Sequence, residues 1–151
     1  MKRRTPTDLE VRGHAHPDAD TWILRFAWPT NPLPMNGGRG NRWQAKAAEE
    51  RRVRNQVYVQ AMAARIPEMD RCRALVTWWV ATKHVRDPDN LGRLEKRMFD
   101  GLVRAEVVED DRPELMVKPR GEIRHIPSTP EAPVTTPCFT LTVTRLTQED
   151  R

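Results

Sequence analysis

Cysteine is nearly missing from this chain, and the two that occur, Cys72 and Cys138, stand far apart with no paired spacing. That excludes a disulfide framework and a clustered zinc site, and leaves two reduced thiols. No apolar run approaches the length of a membrane span, and no signal-peptide core opens the sequence. We therefore expect a cytoplasmic protein without membrane contact. The one glycine-rich segment lacks the G-K-[ST] of a nucleotide P-loop. Internal repeats are absent. Hydrophobic residues make up 38% of the 151 and charged residues 31%. That bounds the chain to a single domain with a modest core, or one that leans on a partner subunit.

Charge, by contrast, is abundant and unevenly placed. Lysine and arginine number 26 against 21 aspartates and glutamates, for a net charge of +5. Such a balance points to a polyanion, most simply nucleic acid, with a merely soluble basic protein as the plain alternative. The acids concentrate between Arg86 and Arg112, in RDPDNLGRLEKRMFDGLVRAEVVEDDR. Asp87 and Asp89 open this stretch, Asp110 and Asp111 close it, and a segment of helical periodicity carrying Lys96 lies between. Carboxylate oxygens suit hard divalent cations, Mg²⁺ typically being held by one or two carboxylates plus waters and phosphates. A metal held that way can activate water against a phosphodiester. The same residues also have a purely structural reading. Asp87 can be a helix N-cap and Pro88 the first helical residue, with Asp89 and Asn90 complementing the helix dipole. E-D-D-R-P can be a solvated turn.

The rest of the chain is organised around that stretch. Residues 1–20 are expected to be a flexible arm, 21–146 a single domain and 147–151 a tail. Thr21 to Trp28 reads as a strand, with Trp22, Leu24, Phe26 and Trp28 on one face. Pro29 to Asn41 holds too many prolines and glycines for a regular element, and is a connecting loop or a phosphate cradle. Asn41 to Ile66 reads as a helix with Ala47, Val53, Val57, Ala61 and Ala64 on its apolar face. Its cations Lys46, Arg51, Arg52 and Arg54 would track phosphates or simply aid solubility. Arg73 to His84 reads as a central strand, apolar on both faces and covered by a helix and a partner subunit.

A second helix is expected from Pro88 to Val103, burying Leu91, Leu94, Met98, Phe99 and Leu102. Lys96 falls within about 20° of Asp89 in projection at 3.6 residues per turn, and Asp100 lies four residues beyond it. A short strand, Ala105 to Val108, would then deliver Asp110 and Asp111. Leu115 to Ile126 reads as a third strand, offering Met116, Lys118, Arg120 and Arg124 to a polyanion. Cys138 to Leu146 reads as the last, with Phe139, Leu141 and Val143 inward and Thr140, Thr142 and Thr144 outward. The fold class is α+β, a small mixed sheet of about four strands on two main helices.

The order D-P-D-N, then K-R-M-F-D-G-L, then V-V-E-D-D resembles the RusA-type Holliday junction resolvases, small endonucleases of phages and prophages. The resemblance is strongest from Arg86 to Arg112. It extends weakly to Trp28, Pro29 and Asn36 and to the closing L-T-V-T strand. It implies a RusA-like fold and a homodimer that resolves four-way DNA junctions by symmetric nicking, in recombination and repair. It further implies Mg²⁺, with Mn²⁺ as a substitute, held by Asp87, Asp89 and Asp111, and Lys96 as the essential lysine. The catalytic set is thus Asp87, Asp89, Lys96 and Asp111. Arg39, Arg42, Lys46, Arg86, Arg93, Lys118 and Arg120 are the expected DNA contacts. L-G-R-L-E between Asn90 and Lys96 is longer than in the shortest family members, so Arg93 stands where those have their lysine. Lys96 keeps register with Phe99 and Asp100 downstream and takes the role.

Other readings start from the same residues. One is a branched-DNA-binding module of this fold with little or no cleavage. Another is a sugar-nucleotide transferase with a D-x-D metal motif, for which the chain is short. A calcium loop is a third, but D-P-D-N lacks the glycine and glutamate of an EF-hand.

Overall fold

The computed structural model describes residues 20–35, 43–126 and 136–147. The strands are β1 (Thr21–Phe26), β2 (Cys72–Val80), β3 (Met116–Val117), β4 (Glu122–His125) and β5 (Cys138–Arg145). The helices are α1 (Trp43–Ala63) and α2 (Gly92–Arg104), the latter led in by a 3₁₀ turn, Pro88–Leu91. One mixed sheet runs β1-β5-β2-β3, with β4 also paired to β2. β5 is antiparallel to both β1 and β2, whereas β3 and β4 run parallel to β2. The α+β class is as expected, but among the described residues the sheet has five strands because the expected third strand is two. β3 pairs at Cys72 and Arg73 and β4 at Thr77 to Val80. Pro119 lies in the gap between them and has no N–H to give to a ladder.

The helices cover one sheet face. Val53, Val57 and Ala61 of α1 and Leu94, Met98, Phe99 and Leu102 of α2 share a buried cluster with Ala74, Val76, Phe139, Leu141 and Val143. The two helices approach closely at Gly101. A Cβ there would sit 2.6 Å from the Val57 Cβ and 2.8 Å from the Arg54 carbonyl oxygen. Leu24 and Phe26 are buried as the alternation of β1 predicts. The strand stops at Phe26, yet Trp28 still stacks on that ring at 4.6 Å and donates its Nε1–H to Gln56 Oε1 at 2.9 Å.

The other face of β2 is closed at one end from within the chain. Trp79 is buried with Ile126 and Cys138, and its Nε1–H donates to Thr140 Oγ1 at 2.9 Å. Thr140, expected outward, is therefore buried, because its hydroxyl satisfies the indole. Trp78 is half-buried and stacks on Phe139 at 5.2 Å, an ordinary core contact.

Both helices end in the same way. At α1, Arg65 takes φ 55°, and the N–H groups of Arg65 and Ile66 donate to Met62 and Ala61. At α2, Glu106 takes φ 59°, and the N–H groups of Glu106 and Val107 donate to Val103 and Leu102. These are paired Schellman closures with a charged residue, not glycine, at the left-handed position. They correct two expectations: Ala64 is exposed past the end of α1, and Ala105–Val108 is a helix stop, not a strand. Val107 and Val108 are buried in the helix-face core, which explains their apolar character. The expected arm and tail fall, but for Asp20 and Thr147, outside the described residues.

Candidate functional site

The chain leaves β2 at Val80 and reaches Asp87 just ahead of the 3₁₀ turn. Asp87 caps that turn, its Oδ1 accepting the Asp89 N–H at 2.9 Å, with Pro88 in the first position. The structural reading of D-P-D-N is thus correct locally. It does not use up the acids, because the Asp87 and Asp89 side chains remain 70% and 74% exposed. Asn90 is inward-tied instead. Its Oδ1 accepts the Met35 N–H at 2.9 Å and its carbonyl accepts from Asn31 Nδ2 at 3.1 Å. Asn90 thereby ties residues 31–35 to the turn that carries the aspartate pair.

Past α2 the chain turns back along the helix, and Asp111 meets Lys96. Lys96 Nζ lies 3.1 Å from Asp111 Oδ2 and 3.6 Å from Asp100 Oδ1. The hydrogen bond to Asp111, then the charge of Asp100, hold the Lys96 ammonium above the usual lysine range. Reciprocally, the Lys96 hydrogen bond outweighs burial and holds the Asp111 carboxyl below its usual range. Lys118 Nζ donates to the Asp111 carbonyl at 2.5 Å and lies 5.9 Å from the Phe99 ring centre.

Residues 118–121, between β3 and β4, connect the two acid groups. Lys118 serves Asp111, while Arg120 Nη2 lies 2.7 Å from Asp89 Oδ1 and 3.9 Å from Asp87 Oδ1. Gly121 lies against α2, where a Cβ would meet Glu95 Oε1 at 2.9 Å and Leu91 Cδ1 at 3.1 Å. Burial there pushes the Glu95 carboxyl up. Sequence reading passed over Glu95, since a lone glutamate on a charged helix gives no signal. Glu50, which the spacing within α1 pairs with Arg54, instead takes Arg93 Nη2 at 2.6 Å and Arg97 Nη2 at 3.0 Å across the α1–α2 contact. Arg93 holds Glu50 below the usual carboxylate range.

The expected site residues therefore fall into separate groups. Asp87, Asp89 and Arg120 come together, as do Lys96, Asp111 and Lys118. Arg93 belongs to the helix contact. Arg86 donates to the Thr82 and His84 carbonyls at 3.0 and 3.1 Å, with its guanidinium 5.3 Å over Trp78, so it braces the loop after β2. Lys46 is half-buried on the first turn of α1. Arg39, Arg42 and the possible phosphate cradle at Gly37, Gly38 and Gly40 lie outside the described residues.

Mg²⁺ is the cation the resemblance implies. Among the described residues no three His, Cys, Asp or Glu side chains converge as a ligand set. The pair Asp87 and Asp89 nevertheless fits in its donor chemistry. A single cationic nitrogen of Arg120 already lies against both carboxylates, and Mg²⁺ is commonly held by one or two carboxylates with water and phosphate completing its shell. Asp111 stands apart from that pair, as the counter-ion of Lys96. No helix among the described residues is long and apolar enough to cross a membrane. No protein-family model and no curated protein matches this sequence.

Proposed function

We propose that this chain is a Mg²⁺-dependent, structure-specific endodeoxyribonuclease of the RusA type, resolving four-way DNA junctions. The observation that carries the proposal is the position of Lys96. Of the two cations that compete for the role of essential lysine, Arg93 is committed to Glu50 while Lys96 stands against Asp111, in the second acid group. That supports the register in which the essential lysine is Lys96, next to the D-D end of the order, while the D-x-D pair forms the other group.

Asp87 and Asp89 are the residues that would hold the metal, with Asp111 the third expected ligand by resemblance. A bound divalent cation supplies a water of lowered pKa and polarises the phosphate. The chain's own groups do the remainder. Lys96, kept protonated by Asp111 and Asp100, offsets negative charge that develops on the phosphorus oxygens or the leaving oxygen. Asn90 holds Met35 by its N–H, and Arg39 and Arg42 are DNA contacts by resemblance. Such contacts weaken steeply with salt. A symmetric dimer would present two such sites to two strands of a junction.

The deciding experiment incubates the protein with four-way junction, duplex and flap DNA, in Mg²⁺ and in EDTA. Symmetric nicks in the junction, with Mg²⁺ alone, are expected. Sedimentation at micromolar concentration should give twice 17.5 kDa. A second reading, a junction-binding module without cleavage, draws on the separation of Asp111 from the Asp87–Asp89 pair. Junction binding in Ca²⁺ with no nicking in Mg²⁺ or Mn²⁺ would establish it instead.

A further inference from the structure

We propose that Arg120 is the resident counter-cation of the Asp87–Asp89 pair, and that a divalent metal must displace it to bind. This rests on the metal-site reading above and adds a positioning residue to it. The geometry is direct. Arg120 places both Nε and Nη2 on Asp89 Oδ1, at 3.1 and 2.7 Å, with Nη2 also 3.9 Å from Asp87 Oδ1. Its guanidinium has no other hydrogen-bonding acceptor among the described contacts.

Two features make the arrangement exchangeable rather than structural. Arg120, Asp87 and Asp89 have side chains 66%, 70% and 74% exposed, so nothing packs the ion pair shut. Arg120 is also carried on the 118–121 connection, whose backbone is held independently, by Lys118 on Asp111 and by Gly121 against Leu91 and Glu95. The guanidinium can therefore leave the carboxylates without moving its anchor. Two carboxylates facing each other with no cation would repel. Arg120 relieves that repulsion while the metal is away, and once displaced it is a free cation beside the pair, where a phosphodiester would lie. The side chain thus lowers metal affinity in the free protein and ties metal loading to the arrival of an anion that takes up the guanidinium.

The test measures Mn²⁺ binding to the full chain without DNA, from the electron paramagnetic resonance of free Mn²⁺. Wild type, Arg120→Gln, Arg120→Lys, Asp89→Asn and the double variant Asp89→Asn/Arg120→Gln are compared. Removing one exposed charge beside a divalent ion should tighten Mn²⁺ binding about three- to tenfold at low salt. The gap should narrow towards 0.5 M salt as the charges are screened. Arg120→Lys should stay near wild type, and the double variant should lose the gain. Equal affinity in wild type and Arg120→Gln, with Asp89→Asn abolishing binding, overturns this inference and leaves the metal site standing. A gain that survives Asp89→Asn also overturns it, because the competition then lies elsewhere. Mn²⁺ binding to none of the five proteins overturns both the inference and the metal reading.

Discussion

The two acid groups differ in how firmly they are held, and on the proposed reading that difference suits them to different work. Asp111 is only 20% exposed, is bonded to Lys96 and has its carboxyl held below the usual range. Asp87 and Asp89 are mostly exposed and share one arginine. A fixed carboxylate orients a cation; a loosely held pair can trade one cation for another. The 118–121 connection touches both groups, Lys118 on Asp111 and Arg120 on Asp89.

The sharpest way to break this comparison is Asp89→Asn. A carboxamide keeps the shape and removes the charge. Junction cutting at saturating Mg²⁺ should fall by at least roughly a thousandfold, while unfolding free energy stays within about 0.5 kcal/mol, as for an exposed surface residue. Junction affinity should hold or rise, because repulsion of phosphates is relieved. Wild-type turnover would remove Asp89 from the site.

Next in size is Lys96→Ala. Losing a preorganised charge at the transition state costs about 3–4 kcal/mol, or roughly 10²–10³ in single-turnover rate. Arg93→Ala is its matched control. That change breaks the ion pair with Glu50, so its main effect should be about 1 kcal/mol of stability, measured by urea unfolding. If Arg93→Ala were the one to lose the rate, the register from Asn90 to Phe99 would be wrong.

Much of this was legible in the sequence, for reasons that differ by residue. The apolar positions Leu91, Leu94, Met98, Phe99 and Leu102 mark the buried side of the 3₁₀ turn and α2 because helical spacing leaves little choice. The same spacing set Lys96 beside Asp100. Ala105–Val108 misled because a Schellman closure is normally announced by glycine, and Glu106 at φ 59° hides it. Buried Val107 and Val108 then resemble a strand. The break between β3 and β4 was visible only as Pro119 within an otherwise strand-like run. The tie between Arg93 and Glu50 spans 43 residues of sequence, so local pattern could not show it. Nor could it show that Asn90, a plausible dipole partner, spends its side chain on Met35.

The smallest predicted effect isolates the fixed group. Asp111→Asn, compared with wild type by urea unfolding without divalent cations, should cost about 0.5–1 kcal/mol at neutral pH. The value is kept low because Lys96 is 58% exposed and screened by water. Asp111 has a lowered folded pKa, so its contribution is present above the ordinary carboxylate pKa and fades as pH falls through the lowered one. Lys96 has a raised folded pKa, so its share is present below the ordinary lysine pKa and fades as pH rises through the raised one. The gap between the two proteins should thus be flat through neutral pH and close at both extremes.

The place of β5 in the sheet has a consequence for how the molecule is made. β5 lies between β1 and β2 and pairs with each along most of its length. During synthesis β1 emerges early, but the strand it lies against, Cys138–Arg145, follows only after more than a hundred further residues. At about 5–20 residues per second this is a wait on the order of ten seconds. In that interval β2 lacks its antiparallel neighbour, and Leu24 and Phe26 have no sheet to join. The α1–α2 pair, whose contacts are nearer in sequence, can form first. The sheet then closes in a late step of high contact order, which is slow compared with helix docking.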